Sequence, residues 1–139
     1  MKRETPTGAL PEASRQRLAN VRRALLRLHK ALLDVERADY ERVYGQVTSG
    51  ELLQLVINHE QFAWLHSVSE LIVRMDELLD AVEPATADDA ESLLEQARLL
   101  LKPSETGGEF GRRYFAALQR EPEAVLAHRN ATAALSDGG

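Results

Sequence analysis

The chain has 139 residues, 44% of them hydrophobic and 28% charged, with a net charge of −5. This length and composition are typical of one ordinary globular domain. The chain has no cysteine, which excludes a disulfide framework, a thiolate metal site and a cysteine nucleophile. No uncharged apolar run approaches the roughly 20 residues that cross a bilayer. We therefore expect a cytoplasmic protein that does not bind membranes.

The first predicted element is a long helix from about residue 14 to residue 44. Ser14 is a candidate N-cap, and Gly45 is a candidate left-handed stop. Apolar residues recur there at steps of three and four, as on one face of an α-helix. This line consists of Leu18, Val21, Leu25, Leu28, Leu32 and Val35, with Leu26 and Leu33 expected to widen it.

Such a regular apolar line can pack within its own chain or against a second copy. The arginines beside the line oppose a parallel pairing of two copies, because that pairing brings like charges together. We therefore expect a monomer, or a weak homodimer formed through another face.

Charge is unevenly distributed along the sequence. Residues 1–30 carry eight basic and two acidic groups, whereas residues 76–95 carry eight acidic groups and no basic one. A basic helix can meet a polyanion such as nucleic acid, or it can lie beside an acidic helix of the same chain. The negative net charge favours the second interpretation, and no aromatic residue stands among the arginines to stack on bases. The sequence therefore predicts no nucleic-acid partner.

Two helices are predicted between residues 48 and 82. Thr48-Ser-Gly-Glu51 resembles a capping box and predicts a short apolar helix at residues 52–57. Asn58 and Gln61 then predict the start of one long helix that continues to Val82. Its apolar face consists of Phe62, Leu65, Val68, Ile72, Met75, Leu79 and Val82. We expect Phe62, Leu65 and Ile72 of this face to meet Leu25 and Leu28 at the centre of the core.

Three further helices are predicted, at about residues 88–101, 110–120 and 122–135. Thr86 is a candidate cap for the first, and Pro122 suits the first position of the last. Their expected apolar faces are Leu93, Leu94, Ala97, Leu100 and Leu101; then Phe110, Tyr114 or Phe115, and Leu118; and finally Val125, His128 or Leu126, Ala131 and Leu135.

No segment shows the two-residue alternation of a strand, so the predicted class is all-α. The expected architecture is an up-down bundle of about four main helices plus short helices. The bundle would span residues 14–135, between flexible tails at residues 1–13 and 136–139.

Three segments, HKALLDVERADYERVYG, LLQLV…FAWLHSVSELIVRMDELLD and RYFAALQREPEAVLAH, resemble a family of small uncharacterised bacterial all-helical proteins. The resemblance covers about residues 19–128. Its most distinctive piece is FAWL followed by a serine and an aliphatic run. The resemblance implies a bacterial single-domain protein and carries no activity.

A metal site is one hypothesis for the chemistry, because helical bundles bind metals through inward-facing histidines and carboxylates. His66 and Glu70 lie one helical turn apart, and His29 supplies a further imidazole. The chain has only four histidines, no His-x-x-x-His pair and no Glu-x-x-His motif. His29, His66 and Glu70 therefore remain secondary candidates, and no cofactor is predicted.

Polar residues within or beside the apolar faces predict a buried network, since buried polar groups need partners and the Trp N–H needs an acceptor. Asp39 or Glu36 can pair with Arg74, and His66 can accept a hydrogen bond from Tyr40. The same residues can instead line a small pocket. The candidate network is Asp39, His66, Arg74 and Trp64.

No catalytic arrangement is evident in the sequence. Ser67 adjoins His66, but neighbouring residues on a helix point apart and do not form a nucleophile–base pair. We therefore expect a non-enzymatic cytoplasmic bundle that acts through protein–protein contacts. The alternative is a small-molecule or metal-binding bundle with a pocket of His29, His66 and Glu70.

Overall fold

The computed structural model describes residues 10–81 and 85–136, and within these ranges it contains helices and connecting segments but no strand. The predicted all-α class is confirmed. In chain order the elements are α1 (Glu12–Tyr44), α2 (Ser49–Asn58), a 3₁₀-helix (Glu60–Leu65), α3 (His66–Leu79), α4 (Ala87–Leu100), α5 (Glu109–Arg120) and α6 (Pro122–Ser136). None of the helices in the described ranges is long and apolar enough to cross a membrane.

Helix α1 buries the whole apolar line that the sequence predicts for it: Leu18, Val21, Leu25, Leu28, Leu32 and Val35. The helix begins earlier than predicted, because Pro11 and not Ser14 occupies the N-cap position. Leu10, expected in the tail, is buried in the core, while residues 1–9 of that tail lie outside the described residues. Leu26 is 43% exposed and does not widen the buried face as predicted. Gly45 ends the helix with a positive φ of 92°, which glycine adopts at little cost.

The predicted long helix from Asn58 to Val82 is interrupted. Asn58 is the last residue of α2, and His59 is extended, with its Nδ1 accepting a hydrogen bond from the Gln61 N–H at 3.0 Å. A 3₁₀-helix follows and runs directly into α3, which ends at Leu79. The predicted Asn58–Gln61 cap is therefore wrong, and Val82 lies outside the described residues. Phe62, Leu65, Val68, Ile72 and Met75 of the predicted face are buried, and Leu79 is partly buried.

The capping predictions for α2 and α4 are confirmed. Thr48 and Glu51 form a capping box at the start of α2. Thr86 and Asp89 form a second capping box at the start of α4. In each box the threonine oxygen accepts a backbone N–H and the carboxylate accepts the N–H of the cap residue, so two unsatisfied donors at the helix start gain partners.

Helix α6 begins at Pro122 as predicted, and Ala131 and Leu135 of its predicted apolar face are buried. The other buried residues are Ala124 and Ala127, whereas Val125 and Leu126 are 38% and 53% exposed. The first half of the predicted face is therefore wrong and the second half is confirmed. In α5, Tyr114 and not Phe115 is the fully buried aromatic residue.

The helices pack around one hydrophobic cluster that draws on every element except α2 for fully buried side chains. Helix α1 packs against α6, α3 and α4, and its most extensive contact is with α6. Helices α3 and α4 pack on each other, and α4 and α5 both contact α6. The expected central residues are all buried: Leu25, Leu28, Phe62, Leu65 and Ile72.

The basic half of α1 lies beside acidic residues of α3 and α4, as the charge distribution predicts. Arg22 forms an ion pair with Asp76 of α3, and Arg17 forms one with Glu91 of α4. These partly exposed pairs contribute little stability individually. They do orient the basic face of α1 toward the acidic region of its own chain.

Leu28→Ala is expected to lower the free energy of unfolding by about 2–5 kcal/mol, since it leaves a cavity beneath a side chain that is fully buried. The control is Leu26→Ala on the same helix, where the side chain is 43% exposed and the loss should be below about 1 kcal/mol. Urea unfolding followed by circular dichroism measures both. Equal losses in the two variants would contradict the placement of α1 in the core.

Candidate functional site

The most organised polar site of the molecule surrounds Glu36, the one polar or charged side chain buried among the described residues, at 9% exposure. Its Oε2 accepts a hydrogen bond from Trp64 Nε1 at 2.9 Å, and its Oε1 accepts one from Gln61 Nε2 at 3.0 Å. The same Gln61 amide also lies 3.3 Å from the Glu36 backbone oxygen. One carboxylate of α1 therefore binds two side chains of the 3₁₀-helix.

The 3₁₀ geometry aligns the two donors of this double contact. With three residues per turn, side chains at i and i+3 point in the same direction. Gln61 and Trp64 have this spacing and reach the two oxygens of Glu36, while Phe62 and Leu65 have it too and are both fully buried. The α-helix predicted for this segment would set each pair apart by about a sixth of a turn.

Helix α5 supplies a cation to the same cluster. Arg113 Nη1 lies 3.9 Å from Glu36 Oε2 and donates to the Gln61 carbonyl oxygen at 3.5 Å. Arg113 Nε also pairs with Glu109 at 3.3 Å. Because each carboxylate oxygen of Glu36 has a donor from the protein, the group is suited to holding α1, the 3₁₀-helix and α5 together.

A row of aromatic rings extends from this cluster to α6. The ring of Trp64 lies 5.4 Å from that of Phe110, which lies 5.4 Å from Tyr114. Tyr114 in turn contacts His128 at 5.3 Å between ring centroids, and its hydroxyl is hydrogen-bonded to His128 Nδ1. Burial raises the pKa of Tyr114 and lowers that of His128. A neutral phenol can donate to a neutral imidazole, so this pair also satisfies itself.

Asp39, predicted in the network with Arg74, binds Arg120 of α5 instead. The two Asp39 oxygens accept hydrogen bonds from the Arg120 guanidinium at 2.8 and 2.9 Å, and Arg42 also donates to Asp39. The Arg120 hydrogen bonds hold the pKa of Asp39 below its ordinary value. Arg74 points elsewhere, with its guanidinium donating to Gln96 Oε1 of α4 at 2.7 Å.

His66 is separate from that pair as well. Its Nε2 donates to the Val56 carbonyl oxygen at 2.7 Å, which ties the first residue of α3 to α2. Among the described residues, Asp39, His66, Arg74 and Trp64 make no hydrogen bond to one another, so the structure does not bring the predicted network together. The partner of Trp64 is Glu36, which the sequence suggested only as an alternative partner for Arg74.

The candidate metal ligands do not converge. His29 is partly buried, and its buried Nε2 has no hydrogen-bond partner among the described residues. Burial, followed by the nearby imidazole of His66, lowers the pKa of His29. Glu70 is exposed one turn further along α3. Within residues 10–81 and 85–136 no group of three or more histidines and carboxylates is placed to hold a metal ion.

Helix α2 is the least covered element of the fold. It has no buried residue, although Leu52, Leu55 and Val56 are partly buried against the core. Leu53 and Ile57, one turn apart on the opposite side, are 57% and 55% exposed. The sequence identified α2 as an apolar helix but gave no sign that two of its five aliphatic side chains would face solvent.

Shallow grooves elsewhere are lined by a mixture of charged and apolar side chains. The groove between α1 and α6, about 400 Å³, is lined by Arg27, Lys30, Ala31, Asp34, Glu123, Leu126, Ala127 and Asn130. Lys30 and Asp34 pair with each other at 3.0 Å. Mixed charge and an open shape make this groove a poor site for a small molecule, which normally binds in a concave, mostly apolar pocket.

Comparison of the chain with protein-family models, with curated proteins and with solved structures finds no match. The resemblance to a bacterial family stays a prediction from the sequence segments themselves.

Trp64→Phe is expected to destabilise the protein by about 1–3 kcal/mol, because it leaves a buried Glu36 oxygen without its donor. Arg74→Ala is the control, since the Arg74–Gln96 bond is exposed and its loss should cost less than about 0.5 kcal/mol. Thermal and urea unfolding followed by circular dichroism measure both. A larger loss in Arg74→Ala would favour the network predicted from the sequence.

Stability is also expected to fall as the pH is lowered from 7.5 to 5.5. The pKa values of His29 and His128 are lowered in the folded protein, so below about pH 6.5 the unfolded chain binds more protons than the folded one. The stability that depends on neutral His29 and His128 is fully present above the pKa of these histidines in the unfolded chain. It is lost as the pH falls through their lower pKa values in the folded protein. His29→Phe should flatten this dependence, and Leu26→Ala should keep the slope of the unmodified protein. An unchanged slope in His29→Phe would refute the assignment.

Proposed function

We propose that this chain is a non-enzymatic helical protein that acts through contacts with another protein chain, using the outer face of α2. The proposal includes the cytoplasmic location expected from the sequence. The observation that carries it is the exposure of Leu53 and Ile57, each more than half exposed, on a helix whose sequence contains a single charged residue.

An exposed aliphatic pair of this kind favours a binding surface over a solvated one. Isolated exposed apolar residues are common on soluble proteins, but neighbouring ones indicate a site of interaction. Leu53 and Ile57 lie at i and i+4, so their side chains are adjacent on the helix surface. Between them and around them stand Gly50, Gln54 and Asn58, which are exposed and uncharged.

The attachment of α2 also supports a binding role. Its contacts are chiefly with the 3₁₀-helix, and His66 Nε2 at the start of α3 donates a hydrogen bond to the Val56 carbonyl oxygen. An isolated helix of ten residues is marginal in water. Helix α2 is held on the rest of the domain by its inward residues and by its ends. Its outer apolar face can therefore stay exposed without any loss of packing in the core.

The remaining polar groups support a non-enzymatic interpretation. Glu36 is held by two donors, Asp39 is held by Arg120, and the His128 ring is hydrogen-bonded to Tyr114. Groups satisfied in this manner stabilise a fold, whereas a general base needs access to a substrate proton.

The proposal also includes an up-down arrangement of α1, α3, α4 and α6. Contacts of α1 with the other three, and of α4 with both α3 and α6, support it. The connection between α3 and α4 spans only residues 80–86, and short connections favour antiparallel neighbours.

A small-molecule or metal-binding bundle is the second candidate function. The observation in its favour is the buried, unpartnered Nε2 of His29 beside a second imidazole, His66. Against it, His66 already uses its Nε2 to bind the Val56 carbonyl oxygen. Metal analysis and an absorption spectrum of untagged protein distinguish the two functions: stoichiometric iron or zinc that is lost in His29→Phe would replace the first proposal with the second.

A photo-crosslinking residue at position 57 tests the protein-contact function in the source cells. We expect a covalent adduct with a protein chain, either this one or another. The control position is 73 on α3, because Val73 is also β-branched and is 51% exposed. Adducts that are absent at 57, or equally abundant at 57 and 73, would contradict the proposal.

A further inference from the structure

The junction between α2 and the 3₁₀-helix is made by a single residue, His59. Its backbone N–H donates to the Leu55 carbonyl oxygen at 2.8 Å and so closes α2. Its carbonyl oxygen accepts the Phe62 N–H at 3.0 Å, and its ring Nδ1 accepts the Gln61 N–H at the same distance. One residue therefore ends one helix with its backbone donor and begins the next with two acceptors.

The protonation state of the His59 ring follows from this bonding. A backbone N–H can only donate, so the Nδ1 atom that faces the Gln61 N–H carries no proton. The proton of the neutral ring is then on Nε2. Protonation of the imidazole adds a proton at Nδ1, which turns the acceptor into a donor and sets two N–H groups against each other. The bond to Gln61 therefore requires the neutral ring.

Aromatic contacts hold the ring at this position. The His59 ring lies nearly perpendicular to that of Tyr40 on α1, with 5.5 Å between centroids, and to that of Phe62, with 6.2 Å between centroids. These contacts do not depend on a bare Nδ1. A protonated ring that stays in them keeps its new N–H directed at the Gln61 N–H.

The charged groups near the junction do not replace the lost bond. Glu60 adjoins His59 on the 3₁₀-helix and is exposed, and the charged residue of α2, Glu51, lies at the opposite end in its capping box. Glu36 of α1 and Arg113 of α5 both bind Gln61, through its side-chain amide and its carbonyl oxygen. Among the described residues none of these carboxylates is hydrogen-bonded to the His59 ring.

The attachment of α2 depends on this junction. Helix α2 has no buried residue, and its contacts are chiefly with the 3₁₀-helix. Its other hydrogen bond to the rest of the domain comes from His66 Nε2 to the Val56 carbonyl oxygen. That bond survives protonation, because the His66 N–H donates in both states of the ring. Loss of the His59 bond should therefore loosen α2 without detaching it.

We propose that His59 is a pH-sensitive hinge, whose protonation releases the Gln61 N–H and lets α2 move relative to the 3₁₀-helix. An unperturbed imidazole changes its charge between about pH 5 and pH 8, so the hinge operates in the physiological range. The moving helix carries Leu53 and Ile57 on its outer face. The hinge then makes the presentation of that face depend on pH, a form of regulation that rests on the proposed function.

Nuclear magnetic resonance of the purified full chain, without any partner, tests the hinge. The nitrogen chemical shifts of the His59 ring should show the Nε2–H form at pH 7.5. Hydrogen exchange, corrected for the intrinsic effect of pH, should show that opening at the Gln61 amide increases about three- to tenfold between pH 7.5 and pH 5.5, the effect of losing one capping bond. The Leu28 amide in the core of α1 is the reference for global unfolding, to which His29 and His128 contribute.

Two substitutions of His59 separate the bond from the proton. His59→Asn keeps an acceptor, because its amide oxygen can accept the Gln61 N–H and does not titrate in this range. Its Gln61 amide should stay protected at both pH values. His59→Phe keeps a ring against Tyr40 but has no acceptor, so the same amide should be open at both pH values. Circular dichroism verifies that both variants remain helical.

Three results would overturn the hinge: an Nδ1–H ring at pH 7.5, equal protection of the Gln61 amide at the two pH values in the unmodified protein, or an unchanged pH dependence in His59→Asn. The first two need no variant. Failure of the proposed function gives a different result. In that case the junction opens with pH as expected, while a crosslinking residue at position 57 forms no adduct in cells.

Discussion

The rest of the structure depends on how one buried carboxylate is satisfied. Glu36 follows the core residue Val35 on α1, so the helix carries its carboxylate into the protein interior. A buried charge is costly unless hydrogen bonds and countercharge surround it. Trp64 and Gln61 supply the hydrogen bonds, and Arg113 supplies a cation at 3.9 Å. Three elements are thereby fixed around one side chain.

Both donors to Glu36 lie on the segment where the predicted long helix is divided. A continuous α-helix from Asn58 would set Gln61 and Trp64, and likewise Phe62 and Leu65, about a sixth of a turn apart on one face. The tighter 3₁₀ turn aligns both pairs, at the expense of regular α-helical hydrogen bonds over six residues. His59, which is extended, then separates this segment from α2. Helix α2 has its own capping box at its start and so forms a separate helix.

The outer face of α2 is a consequence of the same division. Had the chain continued as one helix, the residues before Asn58 would have followed the direction of α3. Instead the break lets α2 lie on the 3₁₀-helix with Leu52, Leu55 and Val56 inward and with Leu53 and Ile57 outward. The site proposed for binding and the cluster around Glu36 are therefore two results of one local change in backbone geometry.

The alanine face of α6 shows a second principle of assembly. Ala124, Ala127 and Ala131 form the contact side, and small side chains allow the α6 backbone to approach α1 closely. The larger residues Val125 and Leu126 remain at the surface. By hydrophobicity alone, Val125 and Leu126 would be preferred in the core because they are larger. Close packing depends instead on how well the two helix surfaces fit together, and not on the size of each residue.

The sequence by itself determined the helical class, the buried line of α1, the capping boxes at Thr48 and Thr86, and the pairing of basic and acidic helices. Each of these depends on residues that are neighbours along one helix, or on the sum of charges, and both are visible in a linear chain. Tertiary structure alone decided the partner of Trp64, the 3₁₀ segment and the separate placements of Asp39, His66 and Arg74. It also decided the buried face of α6 and the exposure of α2. Those outcomes depend on which surfaces meet across distances of 10 to 81 positions in the sequence, and the spacing of residues within one helix carries no information on the residues opposite it.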